Sequence, residues 1–336
     1  LGSVSSPGQV IFNHASAILM TKLSSRFVFK HRPQKQPPME ITKMTSTDIS
    51  DLVQLNREYS PSSCIEDINV HIQQYVELSR AAKIKAKEQK KLYSDLHYGD
   101  RSTQSLDLYL PTGAPQGKLM VYIHGGYWQE LSKEESSFCA TNFQQHGFHV
   151  AVLDYTLAPD ASMSDIVAEN RQAMAWLYKN ASRFTYDPEQ IYVSGSSAGA
   201  HLAMLMLQTP WQEYIPGYQG SLVKGLCAVS GIYDLQPLLP TYVNDALKMD
   251  VIEAKANSPF FQPSPKAVPI IIALGNIETD EFKRQSQMMA EKLRDQGLEV
   301  LFKIIDERNH FDVILDLADN STWLFQKTIA LMASAD

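Results

Sequence analysis

The chain has 336 residues, 44% hydrophobic and 20% charged, with a net charge of −7. This composition excludes disordered, collagen-like and coiled-coil classes and suffices for a full core in one α/β domain. Its acidic balance argues against nucleic acid as a partner, and its longest apolar stretch, Val268 to Leu274, falls far short of the ~20 residues that cross a bilayer.

Residues 1–39 differ in kind from the rest. They carry five basic residues (Lys22, Arg26, Lys30, Arg32, Lys35) and no acid, and end in Lys35-Gln-Pro-Pro38. Residues 1–38 therefore read as a basic extension, transit-like in composition, ahead of one α/β domain over 39–336. Three cysteines, Cys64, Cys139 and Cys227, with no Cys-x-x-Cys pair form neither a disulfide framework nor a zinc site. They suit a reducing compartment: the cytoplasm, or the mitochondrion if the extension directs import.

The stretch from Ile65 to Leu92 has a helical pattern with a basic, solvated face that includes Lys83, Lys85 and Lys87. Leu106–Leu110 alternates like a strand and stops at Pro111 and Gly113. Short, β-branched-rich runs follow at Leu119–Ile123, His149–Leu153, Ile191–Ser194, Gly225–Val229, Ile270–Leu274 and Val300–Ile305, as expected of strands buried on both faces. Helical patterns lie between and after them at Lys133–Gln145, Ser164–Asn180, Ser197–Gln208, Glu281–Gln296 and Val313–Ala333. The βαβα rhythm predicts a mostly parallel sheet flanked by helices, with antiparallel strands near 93–110 at one edge. Thr209–Gly220 and the proline-rich Leu235–Pro265 interrupt it, and both are expected to build a lid at the carboxyl ends of the strands.

The chemistry-bearing segments stand at the ends of these strands. Gly195-Ser-Ser197-Ala-Gly199 joins a strand to a helix. The tight turn lifts the Ser197 hydroxyl clear of the sheet, and the glycines let the two backbones pass closely. Upstream, the strand ending at Ile123 runs into His124-Gly-Gly-Tyr-Trp128. Without side chains at Gly125 and Gly126, N–H groups of Gly125, Gly126 and Tyr127 can join that of Ala198 in an oxyanion hole. His124 reads as a structural residue pinning the loop, and Trp128 as a pocket wall or core.

A base for Ser197 should come from the loop before the last helix, where Glu307-Arg-Asn-His310 stands. His201, one turn beyond Ser197, reads as a packing histidine. An acid should follow the strand Ile270–Leu274, and both Glu278 and Asp280 qualify; Asp234 is more distant, and Asp312 begins the following helix. No metal, nucleotide or dinucleotide motif is present, so no cofactor is expected.

Together the motifs resemble the kynurenine formamidase (arylformamidase) family of the α/β-hydrolase fold, in its hormone-sensitive-lipase-like branch. The resemblance rests on Glu58-Tyr-Ser-Pro-Ser62, His124-Gly-Gly-Tyr-Trp-Gln129, Tyr155-Thr-Leu-Ala-Pro159 and Gly195-Ser-Ser-Ala-Gly-Ala-His201, continuing through Ser230-Gly-Ile-Tyr-Asp-Leu235, Asn257-Ser-Pro259 and Asn309-His-Phe-Asp312. It implies hydrolysis of N-formyl-L-kynurenine to L-kynurenine and formate, with Ser197 as nucleophile and His310 as base. The family's acid, usually Asp, falls at Glu278, with Asp280 the alternative. Tyr127 and Trp128 would crowd the acyl side and select the small formyl group. The implied partner is this small molecule rather than nucleic acid or membrane, and a homodimer is compatible with the reading. The rival readings are a broad-specificity carboxylesterase and a hydrolase-derived binding protein without catalysis.

Overall fold

From residue 119 onward strands alternate with helical segments. The computed structural model describes residues 46–333, and nearly all of these fall in a unit beginning at Ile49. The expected basic extension, 1–38, lies outside the described residues. Helices α1 (Ser46–Glu58) and α2 (Ile68–Glu88) come first, the second capped by Asp67, whose carboxylate accepts the Asn69 N–H. Strands β1 (Leu92–His97), β2 (Ser105–Tyr109) and β3 (Leu119–Ile123) follow, then α3 (Ala140–Gln145), β4 (His149–Leu153) and α4 (Met163–Phe184). The chain continues through β5 (Ile191–Ser196), α5 (Ala198–Gln208), β6 (Val223–Val229), α6 (Asn244–Leu247) and α7 (Val251–Ala256). It closes with β7 (Ile270–Ile277), α8 (Asp280–Asp295), β8 (Val300–Asn309) and α9 (Trp323–Ala333).

The strands form one eight-stranded sheet in the order β1-β2-β4-β3-β5-β6-β7-β8. Only β2 runs against its neighbours; from β4 to β8 every pairing is parallel. This is the α/β-hydrolase fold. Every residue of β3, β4 and β5 is buried, which is why these strands read as unbroken apolar runs: helices cover both faces of the sheet. Parallel order sends β3, β5, β6, β7 and β8 out along the same edge, and each is followed there by one of the chemistry-bearing loops. Among the described residues no helix is long and apolar enough to cross a membrane.

Several sequence expectations differ from the structure. Val300–Ile305 is not buried on both faces, because β8 is an edge strand with Leu301 and Ile304 exposed, and Lys83, expected on a solvated helix face, turns to the buried Asp107 at 2.8 Å. Lys133–Gln145 is not one helix: a 3₁₀ turn at Lys133–Glu135 is separated from α3, because Ser136 and Ser137 turn their hydroxyls back onto Ser132 O and Lys133 O at 2.6 and 3.1 Å, and such bonds compete with the helical ladder. Val313–Ala333 breaks likewise into a 3₁₀ turn (Val313–Ala318) and α9, divided where Asp319 accepts the Ser321 N–H and Thr322 Oγ1 accepts the Phe325 N–H. Thr209–Gly220 does not contribute to a lid. It follows α5, which has already run back along the sheet, so it lies at the amino ends of the strands, where Tyr218 Oη meets Glu189 Oε2 at 3.1 Å. The first part of Leu235–Pro265 does lie at the carboxyl ends, with Gln129 Nε2 donating to Val243 O at 2.9 Å; its last part returns to the amino ends, where Gln208 Nε2, at the close of α5, donates to Pro259 O at 3.1 Å.

Candidate active site

The turn from β5 into α5 holds Ser197 at φ 57°, ψ −119°, a conformation that costs a non-glycine residue energy and marks functional sites. Packing enforces it. A Cβ on Gly195 would stand 2.4 Å from Gly199 O, and one on Gly199 would stand 2.0 Å from Ile123 O, so the strand and helix meet only as glycines. The Ser197 N–H donates to Val229 O on the neighbouring strand at 2.8 Å. Its side chain therefore sits at the amino terminus of α5, where partial positive charge favours an anion.

The loop after β3 approaches this turn from the side. Gly125 lies so close that a Cβ there would be 2.9 Å from Ser196 O and 3.3 Å from Ser197 Cβ. Beyond it Gly126 (φ 91°), Tyr127 (φ 50°), Trp128 (φ 59°) and Leu131 (φ 68°) occupy left-handed backbone. Three of these are not glycines, so the surroundings must hold the strain. The His124 ring stacks on Tyr155 at 4.2 Å, Tyr155 Oη donates to His124 O at 3.0 Å, the Ala158 N–H donates to Trp128 O at 2.8 Å and Tyr127 Oη donates to Tyr59 O at 2.6 Å. Held this way, the N–H groups of Gly125, Gly126, Tyr127 and Ala198 make no backbone–backbone hydrogen bond among the described residues. That leaves them available to an oxyanion beside Ser197.

His310 and Glu278 meet at the ends of β8 and β7. His310 Nδ1 lies 2.8 Å from Glu278 Oε2, and both side chains are buried. Because a carboxylate only accepts, Nδ1 carries the proton and Nε2 is left as the basic nitrogen. Phe282 and Phe311 close on the His310 ring edge-on, at 4.5 and 5.3 Å. The other carboxylate oxygen, Glu278 Oε1, accepts from Ser230 Oγ at 2.6 Å and from the Gly275 N–H at 2.7 Å. Asp280 is elsewhere: it is the first residue of α8, exposed, with Lys283 at 3.7 Å. The cap of α8 is Thr279 rather than Asp280; its hydroxyl donates to Glu58 O and accepts no N–H of the helix.

The remaining candidates have structural partners. His201 is fully buried on α5, with Nε2 2.7 Å from Asn257 O, and burial pushes its pKa down to about 4, so it is neutral. The Trp128 indole is fully buried edge-on against it at 5.0 Å, which makes Trp128 core. Asp312 accepts the Asn309 N–H at 2.7 Å and stands at the start of the turn after His310, without a side-chain bond to it. Asp234 accepts the Gln236 N–H at 3.0 Å.

Gln285 had no local sequence signal, and Tyr59 stands in the Glu58-Tyr-Ser-Pro-Ser62 motif, which does not show what it meets. Gln285, fully buried on α8, accepts both the Tyr233 and Asp234 N–H groups at 2.9 Å and donates to Tyr59 Oη and Asp234 O. Tyr59 in turn receives Tyr127 and Tyr242 through its carbonyl. Tyr59 ties the segment after α1 to the loop after β3, 68 residues on, and to Tyr242, 183 residues on, and Gln285 ties it to α8, 226 residues on. Ser230 stands in a quoted motif, but nothing in that motif shows which atom its hydroxyl meets.

A BD-FAE family model matches residues 106–293 of this chain. The kynurenine formamidase of Danio rerio is 34% identical over 296 residues, covering 86% of this chain and 97% of its own. The chain belongs to the kynurenine formamidase family. The kynurenine formamidase of Salmo salar is 33% identical over 84% of this chain and 97% of its own. Among solved structures, a candidate thioesterase of Silicibacter sp. superposes with a TM-score of 0.72 at 28% identity, over 84% of this chain and 99% of that one.

Proposed function

We propose that the chain is a serine hydrolase that cleaves the formamide of N-formyl-L-kynurenine, with Ser197, His310 and Glu278 as its catalytic triad. The observation that carries this reading is the buried 2.8 Å pair of His310 Nδ1 and Glu278 Oε2, on the same sheet edge as a strained Ser197. The pair fixes the imidazole tautomer that can take a proton from a serine hydroxyl. The family's 34% identical member supplies the substrate class.

The reaction follows from these groups. Ser197 Oγ attacks the formyl carbon while His310 Nε2 takes its proton, and Glu278 steadies the imidazolium that results. The carbonyl oxygen becomes an oxyanion among the Gly126, Tyr127 and Ala198 N–H groups. Each well-aimed donor is worth about 3–4 kcal/mol of barrier. The imidazolium then protonates the aryl nitrogen as the C–N bond breaks, releasing kynurenine and leaving a formyl ester on Ser197. Water, deprotonated by His310, attacks that ester, and formate leaves as Ser197 regains its proton. Tyr127, half-buried beside Gly126 and tethered to Tyr59, limits space on the acyl side and favours a formyl group over larger acids.

The test compares kcat/KM for N-formylkynurenine with that for p-nitrophenyl acetate, alongside fluorophosphonate labelling. A strong preference for the formamide, with labelling lost in Ser197→Ala, is expected. Equal rates on both would favour a general esterase, and an unlabelled, inactive wild type would favour a binding protein.

A further inference from the structure

We infer that Ser230 is a positioning residue of the triad, a fourth member that holds Glu278 in register with both His310 and the nucleophile strand. This rests on the assignment of Ser197, Glu278 and His310 just given. Ser230 is fully buried at the end of β6, between the strand that carries Ser197 and the strand that carries Glu278. Its hydroxyl donates to Glu278 Oε1 at 2.6 Å, within the short range of charge-assisted bonds to a carboxylate.

The backbone makes the link double. The peptide joining Val229 to Ser230 accepts the Ser197 N–H through its carbonyl and donates its own N–H to Ala273 O, both at 2.8 Å. One rigid peptide plane thus bridges the nucleophile turn and β7, while the side chain attached to it reaches the acid. To do so Ser230 takes φ 52°, left-handed backbone in which a glycine would be more relaxed. A residue that served only to turn the chain would be better replaced by glycine, so the strain is accounted for by the hydroxyl.

The arrangement also explains how a glutamate serves where aspartate is usual. The extra methylene gives the carboxylate freedom to swing, and two donors on Oε1, Ser230 Oγ and the Gly275 N–H, remove it. With Oε1 pinned on one side, Oε2 can only face His310 Nδ1. Ser230 touches neither substrate nor the reacting atoms, and acts through Glu278.

The experiment uses Ser230→Gly and Ser230→Ala in the full chain, with thermal melts to confirm folding. Glycine suits the backbone and lacks the hydroxyl, so it separates the hydroxyl from the turn. Both variants are expected to lower kcat on N-formylkynurenine by about ten- to a hundredfold, as loss of an outer orienting partner does elsewhere, with KM unchanged. The far-downfield proton resonance of the His310 Nδ1–H should weaken or move in both. In a Glu278→Gln background, Ser230→Gly should cause little further loss, because its target is already gone. A folded Ser230→Gly enzyme with wild-type kcat and an unmoved downfield resonance would overturn the inference while leaving the triad standing. Wild-type turnover by Ser197→Ala would instead overturn the triad itself.

Discussion

Replacing Glu278 by glutamine tests the triad at its least familiar member, and the structure fixes how the amide must sit. One oxygen site at position 278 faces the Gly275 N–H at 2.7 Å, a group that can only donate, and the Ser230 hydroxyl at 2.6 Å. The oxygen of the introduced amide would take that side, turning its NH₂ toward His310 Nδ1. Nδ1 must then accept, so the imidazole proton moves to Nε2, the nitrogen that should receive the serine proton. The same carboxylate-to-amide change in a serine protease triad lowers kcat about 10⁴-fold, roughly 5 kcal/mol at 1.36 kcal/mol per decade. Asp280→Asn is the control: the side chain is exposed, and Asn is tolerated at a helix start, so less than about a twofold change is expected. The assay is steady-state formate release from N-formylkynurenine for both variants, with melts to confirm folding. Glu278→Gln retaining more than about a tenth of wild-type kcat, or a larger loss in Asp280→Asn, would refute the reasoning.

Other consequences can be measured independently. His201 is held neutral by burial at about 4 against an ordinary 6.5, so between these values the unfolded chain binds the extra proton. Folding stability should therefore fall as pH drops from about 6.5 to about 4, by about 3 kcal/mol, and level off below. Denaturant titrations across that range should show the dependence reduced in His201→Gln. Gly199→Ala would place a Cβ 2.0 Å from Ile123 O, a backbone atom that cannot move without disturbing β3. It should destabilise by about 1–3 kcal/mol and cut activity, and an unchanged melting temperature would contradict the close approach. On the opposite side of the sheet, the fully buried Asp107 faces Lys83 at 2.8 Å and Lys133 at 3.1 Å. Burial alone would lower the Lys133 ammonium, but Asp95 and Asp107 outweigh it and push it up. Asp107→Ala should cost about 3–5 kcal/mol in denaturant unfolding because it leaves buried ammonium groups without that partner.

What could be read in the sequence was local. Strands buried on both faces are apolar without alternation, so β3 and β4 stand in the structure at the bounds their composition marks. The glycines at 195 and 199 mark a turn only they can make, and parallel topology requires the loops after successive strands to share one edge. Where side chains turned back onto nearby backbone, as at Ser136, Ser137 and Asp319, helical periodicity misled, because it is blind to competing hydrogen bonds.

The choice between Glu278 and Asp280 shows the limit most directly. The two acids are two residues apart and both follow the same strand, so spacing alone leaves each a candidate. The pairing of β7 with β8 and the start of α8 send Glu278 inward to His310 and leave Asp280 in solvent. Similarly, Trp128 belongs to the glycine-containing loop after β3, yet its indole is buried against His201. Ser230, Gln285 and Tyr59 act on groups 48 to 226 residues away. The sequence by itself determined the fold class and the tight strand-to-helix turn that holds Ser197, because glycine sterics and strand burial act over a few residues. Which acid meets the histidine, and what holds that acid still, was decided only by tertiary structure, because those contacts join strands that are neighbours in the sheet and distant along the chain.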